Sequence, residues 1–267
     1  MTTDPSHAQR PLALVTGAST GIGRELARQL AERGHEVLAV ADEDTVDVLA
    51  AELPTGQVRT VRADLTTAEG MDRLTDVLGD LGRPLAVAAL NAGRGAHGRF
   101  DEIPLDDDLR VVQLNVVSTV HLAKLVVRDM VAHGGGHLLI TSSIAATAPG
   151  PYHATYAASK AFGHSFAEAL RAELSETGVV VTSLMPGPTD TEFFERADMK
   201  DTAVATGHLD DPADVARDGL EALFAGKDKV VAGARRNRVQ AVASTVLPDT
   251  VAAKAQQRQT APGSGSD

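Results

Sequence analysis

Short apolar runs alternate with longer segments of helical periodicity along most of the chain. Six runs of four to six residues predict strands, at 12–16, 36–40, 57–62, 85–90, 179–184 and 229–232. Amphipathic segments predict helices at 24–33, 105–133, 155–177 and 212–224, and a further helix after the strand at 57–62 that ends at about residue 81. Because runs that are apolar at nearly every position suit strands buried on both faces, the alternation predicts an α/β fold whose parallel sheet is covered by helices on both sides.

The same pattern indicates one domain with a tail at each end. A chain of 267 residues with 43% hydrophobic content is long enough for one sizeable core. The domain is expected at 11–233, after a polar, flexible amino terminus at 1–10. An amphipathic helical extension is expected at 234–255 and a disordered tail at 256–267, which is rich in polar residues, glycine and proline near its end.

The extension begins with a basic segment at 235–247. It places Val239, Val242, Ala243 and Val246 at helical spacing behind three arginines. A basic amphipathic helix can bind a membrane surface or a protein partner. Packing against its own domain, or against a second copy of the chain, is the commoner use and is the expectation here.

Charge and composition narrow the function classes. With 25 basic and 36 acidic residues the formal net charge is -11, which disfavours binding to nucleic acid or to an anionic bilayer. The chain has no cysteine, hence no disulfide and no thiolate nucleophile, and the glycines between His133 and His137 indicate a turn, not a metal site. Residues 1–10 lack the apolar core of a signal peptide, and no uninterrupted apolar segment reaches ~18 residues. A cytoplasmic protein is expected.

A glycine-rich turn at 17–23, Gly-Ala-Ser-Thr-Gly-Ile-Gly, joins the first strand to the first helix. Gly17 permits a tight turn, Gly21 lets the backbone approach a pyrophosphate, and Gly23 lets the helix pack closely on the sheet. The spacing differs from G-x-G-x-x-G, and three glycines can form a plain turn. The position between a strand and a helix favours dinucleotide binding.

A carboxylate follows the second strand. Asp42 lies nineteen residues after Gly23, near the interval expected for a side chain that accepts a hydrogen bond from a ribose 2′-hydroxyl. Asp42 would repel a 2′-phosphate, and Thr20 supplies no positive charge, so NAD is expected in preference to NADP. Two alternatives stay open: Asp42 or Asp44 could cap the next helix, and Arg24 is a cation that could accommodate NADP.

Residues suited to proton transfer lie at 143–160. In a helix that starts near Thr155, Tyr156 and Lys160 are one turn apart on the same face. A nearby ammonium favours the phenolate and lowers the pKa of the phenol. Ser143, at a predicted strand end, would present its hydroxyl to the same substrate oxygen. A Tyr and a Lys at this spacing also occur by chance, but the upstream glycine turn favours the catalytic interpretation.

Two asparagines extend the predicted site. Residues 91–93, Asn-Ala-Gly, follow Leu90 at the carboxyl end of the fourth strand, where parallel sheets bind ligands. Asn115 lies on an apolar stripe of the long helix, and a buried amide needs hydrogen-bond partners. Asn115 could satisfy neighbouring backbone or hold a water molecule near Lys160.

In this order the features resemble the short-chain dehydrogenase/reductase superfamily in its compact single-domain form. The resemblance rests on Thr-Gly-x-x-x-Gly-x-Gly at 16–23, Asn-Ala-Gly at 91–93 and Tyr-x-x-x-Lys at 156–160, and it covers about 11–232. It implies a Rossmann-like, doubly wound, mostly parallel sheet of seven strands and a nicotinamide cofactor. The implied catalytic residues are Asn115, Ser143, Tyr156 and Lys160.

The resemblance also implies a cofactor-binding set along the carboxyl ends of the strands. A Pro-Gly segment at 186–191 matches the one that holds the nicotinamide carboxamide, with Thr189 in place of the more usual Val. Leu90 stands where the family often has Asn, and Asp42 lies one position beyond the usual NAD-type Asp. The implied cofactor-binding residues are Gly17, Ser19, Thr20, Gly21, Ile22, Gly23, Asp42, Asp64, Leu65, Asn91, Ala92, Gly93, Tyr156, Lys160, Pro186, Gly187, Thr189 and Thr191.

The implied activity is NAD(P)-dependent, reversible hydride transfer between the nicotinamide cofactor and a ketone or secondary alcohol, with Tyr156 as general acid and base. Lys160 would lower the pKa of Tyr156 and bind the nicotinamide ribose, Ser143 would bind the reacting oxygen, and Asn115 would hold a relay water. A non-catalytic NAD-binding sensor or scaffold, and a sugar-nucleotide epimerase or dehydratase, stay open as alternatives. A homodimer or homotetramer is expected.

The substrate pocket is expected between the segments 94–98 and 144–151 and a polar, irregular lid at 192–207. The side chains on or near these segments point to no single compound. They include Arg94, His97, His153, Phe193, Phe194 and Met199.

Overall fold

The computed structural model describes residues 10–53 and 56–266, in which seven strands form one parallel sheet. The strands are β1 (Leu12–Thr16), β2 (Glu36–Ala41), β3 (Val58–Arg62), β4 (Leu85–Leu90), β5 (Gly136–Thr141), β6 (Val179–Pro186) and β7 (Lys229–Ala232). Their order across the sheet is β3-β2-β1-β4-β5-β6-β7. The predicted Rossmann-like α/β fold and seven-stranded sheet are confirmed.

Eleven helices are found in the described part of the chain. They are α1 (Gly21–Glu32), α2 (Val46–Glu52), α3 (Ala68–Leu81), α4 (Leu105–Val112), α5 (Thr119–Ala132), α6 (Ala154–Glu173), α7 (Phe193–Arg196), α8 (Ala203–Thr206), α9 (Pro212–Phe224), α10 (Arg235–Val246) and α11 (Asp249–Thr260). A π-helical turn, Gln113–Ser118, joins α4 to α5, and a 3₁₀ turn, Ile144–Thr147, follows β5. The lid expected to be irregular therefore contains two short helices, α7 and α8.

The sheet has a separate apolar core on each face, because side chains alternate along each strand. Leu12 and Leu14 of β1 belong to the cluster that α3, α5 and α6 cover. Ala13 and Val15 belong to the opposite cluster, which α1 and α9 cover. All five residues of β1 are buried, as the continuous apolar run predicts for a central parallel strand.

The sheet changes direction between β1 and β4. From β1 the chain winds outward through β2 to β3, then returns to pair β4 with the other side of β1. The loops that follow β1 and β4 therefore diverge at the carboxyl edge of the sheet, and a crevice forms there. The glycine turn at 17–23 and the segment 91–93 are these two loops.

The long helical segment Leu105–Ala132 combines α4, the π-helical turn and α5. Among the described residues it alone is long and apolar enough to cross a membrane by length and composition. Leu122 and Val126 pack into the core of the sheet, and Asn115 lies in the π-helical turn. We interpret the segment as a core helix that positions Asn115.

The carboxy-terminal extension differs from its prediction. It forms two helices, α10 and α11, and Val239 and Val242 of the expected apolar stripe are 69% and 65% exposed. α10 instead buries Asn237 and Ala241, because the Asn237 amide hydrogen-bonds to Asp210. The face that α10 buries therefore includes Asn237 and Ala241 and differs from the expected stripe, of which Val246 is outside the described side chains.

The tail predicted to be disordered is largely folded. α11 continues to Thr260, which is 1% exposed, and a further turn spans Ser264–Ser266. Thr260 Oγ1 donates to Pro151 O at 2.9 Å, and Gly263 N donates to Asp201 Oδ2 at 2.7 Å. The polar composition that suggested disorder supplies hydrogen bonds to the rest of the protein instead. Residue 267 and residues 1–9 of the predicted flexible amino terminus lie outside the described residues.

Candidate active site

The carboxyl edge of the sheet opens onto one cavity of about 710 Å³, a size typical of small-molecule sites. Every residue of the predicted cofactor-binding set lines this cavity. Ser143, Tyr156 and Lys160 line it as well. Asn115 is 5% exposed and lies in the layer behind the cavity wall. The structure thus brings the predicted residues together on one surface or directly behind it.

The glycine turn has the geometry that its sequence predicts. Gly17 has a positive φ of 66°, which glycine adopts without strain. A Cβ atom on Gly23 would lie 1.9 Å from Gly17 O, so no larger residue fits without moving the turn. The turn ends at the amino terminus of α1, whose free N–H groups can hold a phosphate. These residues fit the pyrophosphate of a dinucleotide.

Asn91 fixes the two loops of the crevice to each other. Its backbone N donates to Thr16 Oγ1 at 3.0 Å, and its Nδ2 donates to Thr16 O at 3.3 Å. Thr141 Oγ1 of β5 donates to Asn91 Oδ1 at 3.1 Å. Asn91 therefore joins the ends of three neighbouring strands. Leu90, which replaces the family's Asn, is buried in the core.

The end of the cavity next to β2, where the adenosine of a dinucleotide is predicted to lie, carries acidic side chains. Asp42 is exposed and lines the cavity, as does Glu43. Arg24, the cation that could accommodate NADP, forms an ion pair with Glu52 and is not among the lining residues of the described chain. The structure therefore has Asp42 at the cavity while Arg24 is engaged elsewhere.

Tyr156 and Lys160 lie on the cavity side of α6, one turn apart. The Lys160 Nζ is 5.8 Å from the centroid of the Tyr156 ring and donates to Thr141 O at 3.0 Å. Burial lowers the pKa of Lys160 to about 8. The side chain therefore still carries an ammonium at neutral pH.

The phenol of Tyr156 does not have the lowered pKa that the sequence suggested. Burial raises the pKa of Tyr156 to about 12, and a hydrogen bond with Ser143 lowers it only in part. The predicted lowering by Lys160 is thus not observed, because desolvation of the phenolate outweighs the other contributions. The phenol is protonated at neutral pH and can donate to a substrate oxygen.

Asn115 makes its hydrogen bonds to the protein. Its Oδ1 accepts from Arg94 N at 2.9 Å, and its Nδ2 donates to Arg94 O at 2.9 Å and to Ser159 Oγ at 2.8 Å. The amide therefore connects the loop after β4 to α6, and a relay water held by Asn115 stays a prediction.

The end of the cavity beside Tyr156 and the lid, where the substrate is predicted to bind, has a wall that the sequence did not indicate. The expected segments do contribute, through residues that include Arg94, Ile144, Ala148, Phe193, Phe194 and Met199. The carboxy-terminal extension adds Gln240, Ser244, Gln256, Gln259 and Thr260. His97 is not among the lining residues and instead bonds to Asp198 O and Thr260 O. Apart from the helical spacing of α10, no local motif marks these positions.

A family model described as short chain dehydrogenase matches residues 11–202. The chain therefore belongs to the short-chain dehydrogenase family. Membership makes it an NAD(P)-dependent oxidoreductase that acts on CH–OH or C=O groups of a small molecule.

Individual relatives agree with this assignment. The chain is 35% identical over 228 residues to a probable oxidoreductase, EphD, of Mycobacterium tuberculosis, which covers 82% of this chain but 38% of that protein. It is similar to a solved short-chain dehydrogenase from Sphingobium yanoikuyae in complex with NADPH, with 29% identity, a TM-score of 0.76 and coverage of 83% and 87% of the two chains. A bulky-bulky ketone specific alcohol dehydrogenase from Comamonas testosteroni gives 27% identity, a TM-score of 0.73 and coverage of 83% and 85%.

Proposed function

We propose that this protein interconverts a ketone and a secondary alcohol, uses NAD in preference to NADP, and employs Tyr156 as general acid and base. One observation carries the proposal. Ser143, Tyr156 and Lys160 line the same cavity as the glycine turn and Asp42. A substrate oxygen near Tyr156 and a dinucleotide on the glycine turn would therefore share one enclosed space.

The bound nicotinamide would supply or accept the hydride, and the protein would supply orientation and protons. In reduction, the Tyr156 phenol donates its proton to the carbonyl oxygen while the Ser143 hydroxyl donates a hydrogen bond to the same oxygen. In oxidation, the Tyr156 phenolate accepts the proton of the alcohol. Because burial raises the pKa of Tyr156 to about 12, the phenol of the free protein carries its proton at neutral pH, as the reduction step requires.

Lys160 would stabilise the phenolate left on Tyr156 after proton donation. Its ammonium is close to the Tyr156 ring and is held by Thr141 O. The same ammonium can donate to the nicotinamide ribose, since Lys160 has three N–H donors. Asn115 would act as a positioning residue that fixes Arg94 and Ser159 around this centre, and its relay water is part of the proposal.

The preference for NAD rests on charge at the adenosine end. The Asp42 carboxylate would accept from a ribose 2′-hydroxyl and repel a 2′-phosphate. Arg24 is paired with Glu52, and Arg196 on α7 is paired with Glu43. NADPH and NADP are bound by solved relatives, so the preference is a property proposed for this chain alone.

The test compares Tyr156→Phe with Tyr152→Phe, which removes the only other phenol of the chain. Ketone reduction should fall about 10²- to 10⁴-fold in Tyr156→Phe and stay near wild type in Tyr152→Phe. Fluorescence titration with NADH and NADPH, at one ionic strength, should give near-wild-type NADH affinity in both variants and tighter binding of NADH than NADPH. Unchanged turnover in Tyr156→Phe would exclude the assigned role.

The same measurements separate the alternatives. A sensor or scaffold would bind NADH but show no turnover with any ketone or alcohol. An epimerase or dehydratase would retain its cofactor through purification and return it unchanged after each cycle. Tighter binding of NADPH would show that a cation outweighs Asp42 and would overturn the cofactor preference.

We also infer that a second copy covers an apolar face on the segment Leu105–Ala132. Leu105, Leu109 and Val117 are 70%, 53% and 45% exposed along this face. Contiguous exposed apolar side chains mark interaction surfaces, and the net charge of -11 disfavours an anionic membrane as the partner. Light scattering should show a dimer or larger assembly that Val117→Arg weakens, whereas Val48→Arg on α2, also an exposed valine, should not. A monomeric wild type would exclude this assembly.

A further inference from the structure

The Pro-Gly segment at 186–191 packs against Asn237, a residue of α10 in the carboxy-terminal extension. Asn237 is 0% exposed. A Cβ atom on Gly187 would lie 2.2 Å from Asn237 Nδ2 and 2.6 Å from Asn237 Oδ1, so the amide lies directly against this glycine. Pro186 and Gly187 line the cavity, whereas Asn237 is not among the lining residues of the described chain. Asn237 therefore supports a part of the cavity wall from the protein side.

Asp210 connects Asn237 to the middle of the same segment. The backbone of Asp210 forms a parallel bridge with the segment: Asp210 N donates to Pro188 O at 2.8 Å, and Asp190 N donates to Asp210 O at 2.9 Å. The Asp210 side chain accepts from Asn237 Nδ2 at 2.6 Å and from Ala234 N at 3.1 Å. One buried carboxylate thus joins the Pro-Gly segment to the start of α10.

The hydrogen bonds of Asn237 fix the orientation of its amide. Its Nδ2 donates to Asp210 Oδ2 and also to Ala232 O at 3.0 Å, at the end of β7. Because a carboxylate and a carbonyl only accept, the nitrogen of the amide has to face them. Gly233 leaves room for this pair, since a Cβ atom there would lie 2.2 Å from Asp210 Oδ2. The amide is therefore held in one position against Gly187.

We propose that Asn237 is a positioning residue for the nicotinamide end of the cofactor. Through Gly187 and Asp210 it sets the place of the Pro-Gly segment, and the segment in turn sets the place of the nicotinamide ring. The inference rests on the proposed function, since it takes the ring to lie against this segment. It adds a residue of α10, which lies outside residues 11–202 that the family model matches.

Loss of the Asn237 amide should act on one half of the cofactor only. It would leave a space beside Gly187 and take a hydrogen bond from the buried Asp210 carboxylate, so the segment could shift. A misplacement on the order of 1 Å can cost about 100-fold in rate, and hydride transfer depends on the position of the ring. The glycine turn, where the pyrophosphate is expected, is fixed by Asn91 and Thr16 instead.

Calorimetric titration with NADH and with ADP-ribose tests the inference. ADP-ribose has both phosphates and both riboses of NADH but lacks the nicotinamide. Asn237→Ala should weaken NADH binding about 10-fold, as expected for the loss of about one hydrogen bond, and change ADP-ribose binding by less than about threefold. If the wild type binds NADPH more tightly than NADH, NADPH and 2′-phospho-ADP-ribose form the matched pair.

Two control variants separate positioning from a loss of stability. Val239→Ala shortens an exposed side chain of the same helix and should leave both affinities unchanged. Leu223→Ala opens the buried core beside α9 and should lower the temperature of thermal unfolding, yet the ratio of the two affinities should stay at its wild-type value. A merely structural role of Asn237 would give the behaviour of Leu223→Ala.

Exchanging the two partners adds a test by rescue. Asn237→Asp alone places two carboxylates side by side in a buried site and should bind NADH weakly. In the double variant with Asp210→Asn, an amide and a carboxylate face each other again, although the bond to Ala232 O is lost. The double variant should therefore recover part of the NADH affinity that Asn237→Asp loses.

Hydrogen exchange gives a readout that needs neither cofactor nor turnover. In Asn237→Ala the amides at 187–191 should exchange faster than in the wild type, while those at 17–23 should not change. Equal weakening of NADH and ADP-ribose, or no weakening of either, would overturn the inference and leave the proposed function intact. A wild type that binds NADH but turns over no ketone or alcohol would overturn the proposed activity, and the two affinities would still decide the role of Asn237.

Discussion

The two ends of the cavity are built in different ways. The cofactor end is made of short contiguous motifs, each lying directly after a strand: the glycine turn after β1, Asp42 after β2 and residues 91–93 after β4. The substrate end is assembled from the lid, from α10 and α11, and from the loop after β4. These segments are distant from one another in sequence. The motifs of the cofactor end are brought together by the order of the strands in the sheet. The segments of the substrate end are brought together by contacts between parts of the chain that are far apart in sequence.

The tightest contacts of the two ends also differ, because a Cβ atom on Gly95 at the substrate end would lie 2.8 Å from the Phe193 side chain, which can move, whereas the glycine turn meets backbone. At the cofactor end, backbones approach so closely that a Cβ on Gly23 would lie 1.9 Å from Gly17 O. At the substrate end, the lid and tail are held by hydrogen bonds such as those from Gly263 and from Ala203 N to Ser264 Oγ at 2.9 Å. A steric contact tolerates no added atom, while a single net hydrogen bond is worth about 1 kcal/mol. We therefore expect the cofactor end to tolerate fewer substitutions than the substrate end.

The largest expected effect tests the rigid end. Gly23→Ala adds one methyl group where no space exists, so the turn must move and its phosphate-binding N–H groups move with it. We expect NADH affinity to fall at least about 100-fold, as a displacement of several hydrogen bonds to a charged group implies. Fluorescence titration with NADH measures the loss.

Gly79→Ala is the matched control, because a Cβ on Gly79 in α3 would meet no atom within 4 Å. This variant should bind NADH like wild type and be slightly more stable, since alanine favours a helix. Near-wild-type NADH affinity in Gly23→Ala would show that the turn can adapt, and the contrast between the two ends would then be lost.

The same contrast explains what could be predicted from the sequence. Six of the seven strands follow from apolar runs and the seventh from the family resemblance, while the cofactor-lining residues follow from motifs a few residues long together with that resemblance. Thr260 and Gln256 carried no such signal, because the helix that carries both is held by contacts such as the hydrogen bond from Thr260 to Pro151, more than a hundred positions away. The raised pKa of Tyr156 was also missed, since burial is a property of the folded core and not of residue spacing.

The next effect is a loss of folding stability at acidic pH, caused by the buried ring of His153 at the substrate end. His153 has a pKa of about 4 in the folded protein and about 6.5 when unfolded. The unfolded chain therefore binds more protons between these values, and stability present above pH 6.5 is lost as the pH falls toward 4. The shift corresponds to a loss on the order of 3 kcal/mol.

Urea unfolding at pH 7 and pH 5 measures this dependence. His35, His137 and His164 also have pKa values lowered by burial, so the wild-type curve alone does not isolate His153. The comparison is with His153→Gln, which should lose less stability between the two pH values. Equal losses in the two proteins would mean that the ring is solvated, and hence that the substrate end is more open than described.

The smallest expected effect tests the hydrogen bonds that close the substrate end. His97 Nδ1 lies 3.0 Å from Asp198 O on the lid and Nε2 lies 2.7 Å from Thr260 O on α11. Removing these bonds in His97→Leu should cost about 1–2 kcal/mol of local stability, whereas exposed His133→Leu should not affect this region.

The His97→Leu variant should raise KM for a ketone roughly five- to tenfold while NADH affinity stays unchanged, because the bonds lie at the substrate end alone. Hydrogen exchange of the amides in 256–265 should become faster, which distinguishes loosening of the wall from loss of a direct substrate contact. A parallel loss of NADH affinity would show that the two ends are mechanically coupled. A change in the lid would then also change cofactor binding, so the substrate end could not be altered without affecting the cofactor end.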